Sequence, residues 1–187
     1  MTKIAILASH NGTGFDAINA AIKNAELSCE IVLVISNNTG AKVLQKAKEN
    51  SLKNYLINSK TSSNPDEEIY ALCKKSKCDI IFLSGYMKKL SNTLTQEFKI
   101  INAHPSLLPN YGGVGMYGRY VHEAVIQNAE KISGVTIHEV NANYDEGKIL
   151  LQKQVDISKD ETAQTLETKI KVIEKKAIVE ALRQCLK

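Results

Sequence analysis

Over the first half of the chain, short runs rich in Ile, Val and Leu alternate with longer stretches whose apolar residues recur at helical spacing. No other feature limits the fold as tightly. Strand-like runs occupy residues 3–8, 30–36, 54–57 and 79–83, and helical stretches occupy 15–24, 41–50 and 66–75 between them. A strand followed by a helix that crosses back over the sheet makes successive strands parallel. Asn64-Pro65-Asp66 is a good helix start, with a capping side chain followed by a proline at the first helical position. Further on, 100–104 reads as a buried strand and 121–128 as a helix, while 133–140 and 149–157 read as two strands joined by a turn around Asp145-Glu146-Gly147. The last segment, 162–186, is a long amphipathic helix that should close one side of the sheet. The expected fold is α/β: a doubly wound, mostly parallel sheet flanked by helices, in a single domain over residues 1–187. No repeat, low-complexity tract or long linker marks a second domain.

Charge and cysteine usage exclude several function classes. The formal net charge is +4, yet the cations are spread along the chain, and Arg119 and Arg183 are its only arginines. A nucleic-acid surface gathers Lys and Arg on one face and favours the Arg fork, so no nucleic-acid partner is expected. A modest basic balance suits anionic small substrates. The start runs straight into an apolar strand without a signal-peptide pattern, and no apolar run approaches bilayer length; a cytoplasmic protein with no membrane partner is expected. Cys29, Cys73, Cys78 and Cys185 show neither a Cys-x-x-Cys pair nor metal-finger spacing and read as reduced, mostly buried thiols.

Three segments carry chemistry. The first is the loop Ser9-His10-Asn11-Gly12-Thr13-Gly14-Phe15, between the first strand and the first helix. Glycine lets backbone approach a ligand, and N–H groups opening a helix form an anion site, so Asn11, Gly12, Thr13 and Gly14 are candidates to hold a phosphate. A tight strand-to-helix turn uses the same residues, and the loop alone weighs equally for both readings. It lacks the three glycines of a dinucleotide site and the Gly-Lys-Ser/Thr of a P-loop, which favours a phosphate monoester on a small metabolite. The second segment, Asn102-Ala103-His104-Pro105 running to Pro109, puts Asn102 and His104 on one face of a strand near the carboxyl edge of the sheet, where open α/β folds bind ligands. An Asn amide can donate to a developing oxyanion and an imidazole can carry a proton near neutral pH. The alternative, in which both merely bond a turn, loses weight beside two prolines that stiffen the following loop. The third is Asp145. A carboxylate near His104 would raise the pKa of that ring and orient it, although an Asp in a hairpin is the commoner use of Asp-x-Gly. His138, His122 and His10 read as structural, His10 being the nearest of them to a site.

With these motifs in place, the chain resembles the phosphoribosylglycinamide formyltransferases of the folate-dependent formyltransferase superfamily over nearly its whole length. The resemblance rests on Asn11-Gly12-Thr13, on Leu83-Ser84-Gly85-Tyr86-Met87 with Leu90-Ser91, on Asn102-Ala103-His104-Pro105-Ser106-Leu107-Leu108-Pro109, and on His138, Asp145 and Gly147 ahead of Gln152. It implies transfer of the formyl group of 10-formyltetrahydrofolate, as co-substrate, to the amine of glycinamide ribonucleotide. Asn102, His104 and Asp145 would be catalytic. The ribonucleotide phosphate would lie at Asn11, Gly12, Thr13 and Gly14, and folate at Met87, Lys88, Leu90, Asn102, Val140, Asn141 and Asp145. No metal is implied, and the partners are these small molecules, in a monomer or homodimer. The chain departs from the family at Thr13-Gly14, where Ser-Asn is common, at Lys88-Lys89, at Glu174-Lys175-Lys176, and in a Gly-rich stretch from Gly112 to Gly118 that reads as a mobile lid. A formyltetrahydrofolate deformylase, another folate-dependent formyltransferase and a non-catalytic nucleotide-binding module are the alternatives.

Overall fold

A computed structural model describes residues 1–186. Seven strands form one sheet: β1 (Thr2–Leu7), β2 (Cys29–Ser36), β3 (Asn54–Leu56), β4 (Ile80–Leu83), β5 (Lys99–His104), β6 (Ile132–Glu139) and β7 (Ile149–Asp156). Their order is β3-β2-β1-β4-β5-β6-β7. The first five run parallel, and β6 and β7 are antiparallel additions at one edge. The helices are α1 (Thr13–Lys23), α2 (Lys42–Glu49), α3 (Pro65–Lys75), α4 (Asn92–Glu97), α5 (Arg119–Gln127) and α6 (Ala163–Cys185). The expected doubly wound α/β fold is the one observed.

Strand alternation divides the core. On β1, Ile4 and Ile6 face one side and join Phe15, Ile18, Val34, Phe82 and Ile178, while Ala5 and Leu7 face the other and join Leu33, Ile35, Ile69, Ile81 and Leu94. Side chains that point in turn to opposite faces give a sheet covered by helices on both sides its continuous apolar strands. The local signals act as chemistry requires. Asn64 caps α3 by accepting the Glu67 N–H at 3.4 Å, with Pro65 in the first turn. Thr162 caps α6 in a reciprocal box with Thr165. The sequence reading has no counterpart for α4; its six residues are capped by Ser91 but span too little chain to show a helical period. Among the described residues no helix is long and apolar enough to cross a membrane.

Candidate active site

At the carboxyl ends of β4 and β5 the chain leaves a cleft of about 560 Å³. The size suits a small-molecule site. Asn102 and His104 alternate onto the same side of β5, as expected. The antiparallel register of β6 then sets His138 directly opposite Asn102. Their side chains meet, Asn102 Nδ2 lying 3.2 Å from His138 Nε2. His138 Nδ1 lies 2.9 Å from the Glu139 carbonyl oxygen, which can only accept, so Nδ1 carries the proton and Nε2 accepts from the Asn102 amide. One Asn102 N–H is thereby fixed and the other is free to face the cleft. The structural reading of His138 therefore understates it: the ring orients Asn102 and touches Asp145.

Asp145 closes the group from the β6–β7 loop. Its Oδ2 is 3.5 Å from His104 Nδ1, its Oδ1 is 3.5 Å from His138 Nε2, and Oδ2 accepts the Gly113 N–H at 2.9 Å. The residue sits in the left-handed region at φ 57°, a conformation that Asp and Asn tolerate better than most side chains. Burial pushes the carboxyl pKa up, but the His138 and His104 rings, when they carry charge, and the Gly113 N–H together hold it below the ordinary 3.8. Gly147, in the turn after Asp145, serves close packing. A Cβ there would lie 1.6 Å from the Glu139 carbonyl oxygen.

The protonation of His104 departs from expectation. Burial lowers its pKa below 6.5 and outweighs the opposing pull of Asp145 and of the Tyr111 carbonyl. Desolvation disfavours the imidazolium more than one carboxylate at 3.5 Å favours it, so the resting ring is neutral at pH 7. Its Nε2–H donates to the Tyr111 carbonyl at 2.7 Å, which leaves the Nδ1 lone pair toward Asp145. The Gly-rich stretch is thus tied to the site at rest: Tyr111 holds His104 and Gly113 holds Asp145.

The structure separates the four residues of the first loop. Gly12 takes φ 65° as the N-cap of α1, and a Cβ there would meet Val43 at 2.5 Å. Gly14 is buried, and its N–H donates to Ser84 Oγ at 2.9 Å. That donor is engaged within the protein; Gly12 is buried as well, and Thr13, half-buried, opens the first turn of α1. Thr13 lines the cleft and Asn11 is exposed beside it. Of the folate candidates, Met87, Lys88, Leu90, Val140, Asn102 and Asp145 line the cleft; Asn141 is exposed and stands outside it, where Ala142, Asn143 and Tyr144 take its place.

On the α6 side of the cleft, sequence reasoning reached Glu174 alone, as a departure from the family, and missed the rest. Glu167, Ile170, Lys171 and Glu174 recur at helical spacing and all line it. The available signal was a pair of carboxylates on the stripe that also carries buried Leu166, Ile170 and Ala177. Burial raises the Glu174 pKa to about 7, against the pull of Lys171 and Lys175. A carboxyl whose folded pKa lies above its unfolded value of 4.5 stabilises the fold fully below that value and loses this contribution as pH rises through about 7. Glu174→Gln is therefore expected to raise the urea midpoint much more at pH 8 than at pH 5. Equal midpoint changes at both pH values would show that Glu174 is not held neutral by burial. His122 also faces the cleft, buried, with no partner for its Nδ1 among the described residues.

Comparison with known proteins bears on this arrangement. The family described as formyl transferase matches residues 2–182. A phosphoribosylglycinamide formyltransferase of Bacillus subtilis is 31% identical, the match covering 100% of this chain and 95% of that protein. The chloroplastic phosphoribosylglycinamide formyltransferase of Arabidopsis thaliana is 32% identical across 96% of this chain, which spans 64% of the plant protein's length. Among solved structures, the phosphoribosylglycinamide formyltransferase of Bacillus halodurans superimposes with a TM-score of 0.90 at 34% identity, covering 99% of this chain and 95% of that one.

Proposed function

This chain belongs to the formyl transferase family, and from that premise we propose that it transfers the formyl group of 10-formyltetrahydrofolate to the amine of glycinamide ribonucleotide, a step of purine biosynthesis. The observation that carries the reading is the meeting of Asn102, His104 and Asp145 in one cleft at the carboxyl edge of the sheet. The substrates are small molecules, the site needs no metal, and the whole chain acts as one catalytic unit in the cytoplasm.

In the proposed reaction the amine nitrogen attacks the formyl carbon, a C–N bond forms, and the carbonyl oxygen takes up negative charge. The free N–H of Asn102 donates to that oxygen; in comparable sites, removing one such donor costs about 3–4 kcal/mol of transition-state stabilisation. Fixing of the amide by His138 supports this role, because a donor already aimed need not reorganise during the reaction. His104 starts neutral and takes at Nδ1, the unprotonated nitrogen on the Asp145 side, the proton that the amine loses. The imidazolium so formed lies against Asp145, whose charge compensates for the burial that kept the ring neutral at rest. The proton then passes to the folate nitrogen as the second C–N bond breaks, giving tetrahydrofolate and the formylated ribonucleotide. The apolar wall of Leu83, Leu90 and Val140, with Met87 at the rim, suits the folate ring system, and Thr13 with α6 bounds the side left for the ribonucleotide.

The test mixes the protein with 10-formyltetrahydrofolate, with and without glycinamide ribonucleotide, and follows the absorbance of the released folate. Release only with the ribonucleotide is expected. Release without it would make the chain a deformylase, and no release in either mixture would make it a binding module.

A further inference from the structure

We propose that Cys73 and Cys78 form a redox-active dithiol that reacts with low-molecular-weight disulfides and closes to an intramolecular disulfide, away from the cleft and independently of the reaction proposed above. The two cysteines sit where α3 ends. The Cys78 N–H bonds the Cys73 carbonyl at 3.0 Å, the Lys77 N–H bonds the Lys74 carbonyl at 3.0 Å, and Lys77 takes φ 53°. This is the reversal that ends many helices, in which the residue past the left-handed position folds back to touch the one five before it. At most helix ends that contact is between two apolar side chains; here the two positions carry thiols, brought together by the backbone bond between the same residues. A disulfide needs Cα atoms about 4.4–6.8 Å apart, and the backbone bond between the same two residues keeps their main chains adjacent.

The two thiols differ in the way such chemistry requires. Cys73 is fully buried among Leu33, Ile69 and Ile81, while Cys78 is half-buried and reachable. The neighbouring Cys73 lowers the Cys78 pKa, against burial and Asp79 and with help from Lys3. The Cys73 pKa is raised by its Cys78 neighbour and by burial. Cys78 is then the attacking thiolate and Cys73 the resolving thiol. In the first step the Cys78 sulfur bonds one sulfur of an external disulfide and expels the other half as a thiolate. In the second, Cys73 loses its proton, its sulfur attacks the Cys78 sulfur, and the second half leaves as a thiol. The chain is oxidised by two electrons and the external disulfide is reduced to two thiols. No other cysteine is paired in this way; Cys29 and Cys185 stand apart from this helix end, packed against the opposite face of the sheet.

The probe is oxidised glutathione, added to the folded chain and followed by non-reducing mass spectrometry. Expected are loss of two of the four thiols, a mass lower by two hydrogens, and tryptic peptides containing Cys73 and Cys78 joined to each other, since Lys74, Lys75 and Lys77 allow cleavage between them. Cys73→Ala should stop at a stable glutathione adduct on Cys78, and Cys78→Ala should leave Cys73 unmodified until the chain is denatured. The unmutated chain is informative even if a variant fails to fold. A persistent glutathione adduct on Cys78 in that chain, a disulfide of either residue with Cys29 or Cys185, or thiols that react only after denaturation would each overturn the assignment.

Discussion

Asp145→Asn should lower kcat by about 10³–10⁴-fold, the scale seen when the carboxylate beside a catalytic imidazole is replaced by its amide, while the fold and most of the substrate affinity survive. The substitution is a clean probe because of the backbone. Asn tolerates the left-handed conformation that Asp145 adopts, and its side-chain oxygen can still accept the Gly113 N–H. What disappears is the negative charge 3.5 Å from His104 Nδ1. Burial already holds that ring below its ordinary pKa, and Asp145 is the first of the groups opposing it. Without the carboxylate the imidazolium of the proposed reaction would stand in a buried pocket with no compensating charge. Two measurements separate this account from a structural one: the kcat and KM of the variant, and the His104 pKa by NMR titration, which should fall further. Full activity, or losses that track unfolding in urea, would return Asp145 to the hairpin role that the residues by themselves favour.

Gly147→Ala should destabilise the protein by about 3 kcal/mol or more, beyond what most overpacking substitutions cost, and lower Tm by roughly 6–12 °C for a chain of this size. The added methyl would stand 1.6 Å from the Glu139 carbonyl oxygen and 2.7 Å from its carbon. Neither atom is the end of a flexible side chain. Glu139 is held from both sides, by its N–H to the Lys148 carbonyl at 2.8 Å and by the pairing of β6 with β5. Relief must come from displacing the start of β7 and the loop before it, and that loop carries Asp145. Activity at a temperature where the variant is still folded should therefore fall as well. Thermal and urea unfolding of the variant check the first effect and turnover the second. A variant within ~0.5 kcal/mol of the parent, the usual range of an uninvolved surface position, would mean that the loop moves aside freely.

Much of this site was legible because it depends on local period. The alternation of strand and helix patterns specifies a parallel, doubly wound sheet, and strand alternation alone puts Asn102 and His104 on one side at the carboxyl edge. Proline, capping residues and acids mark the start of α3 because those side chains act on the backbone within one turn. Where a residue's role depended on a neighbour far along the chain, local pattern was silent. His138 faces Asn102 through an antiparallel register, and a shift of one residue would have sent it to the other face. The Gly14 N–H is taken by Ser84, which lies 70 positions away. Nothing near Gly147 in the sequence shows that the Glu139 carbonyl will press against it.

The charge state of His104 shows the division most plainly. From sequence, Asp145 near His104 argues for a protonated ring; the folded chain buries that ring to 4% exposure and makes desolvation the larger effect. Residue types determine which charges can interact, and their order determines the strands and helices that carry them. How much water remains around each charge is a property of the packed structure alone, since it depends on how closely every segment, α6 and the Gly-rich stretch included, packs over the site.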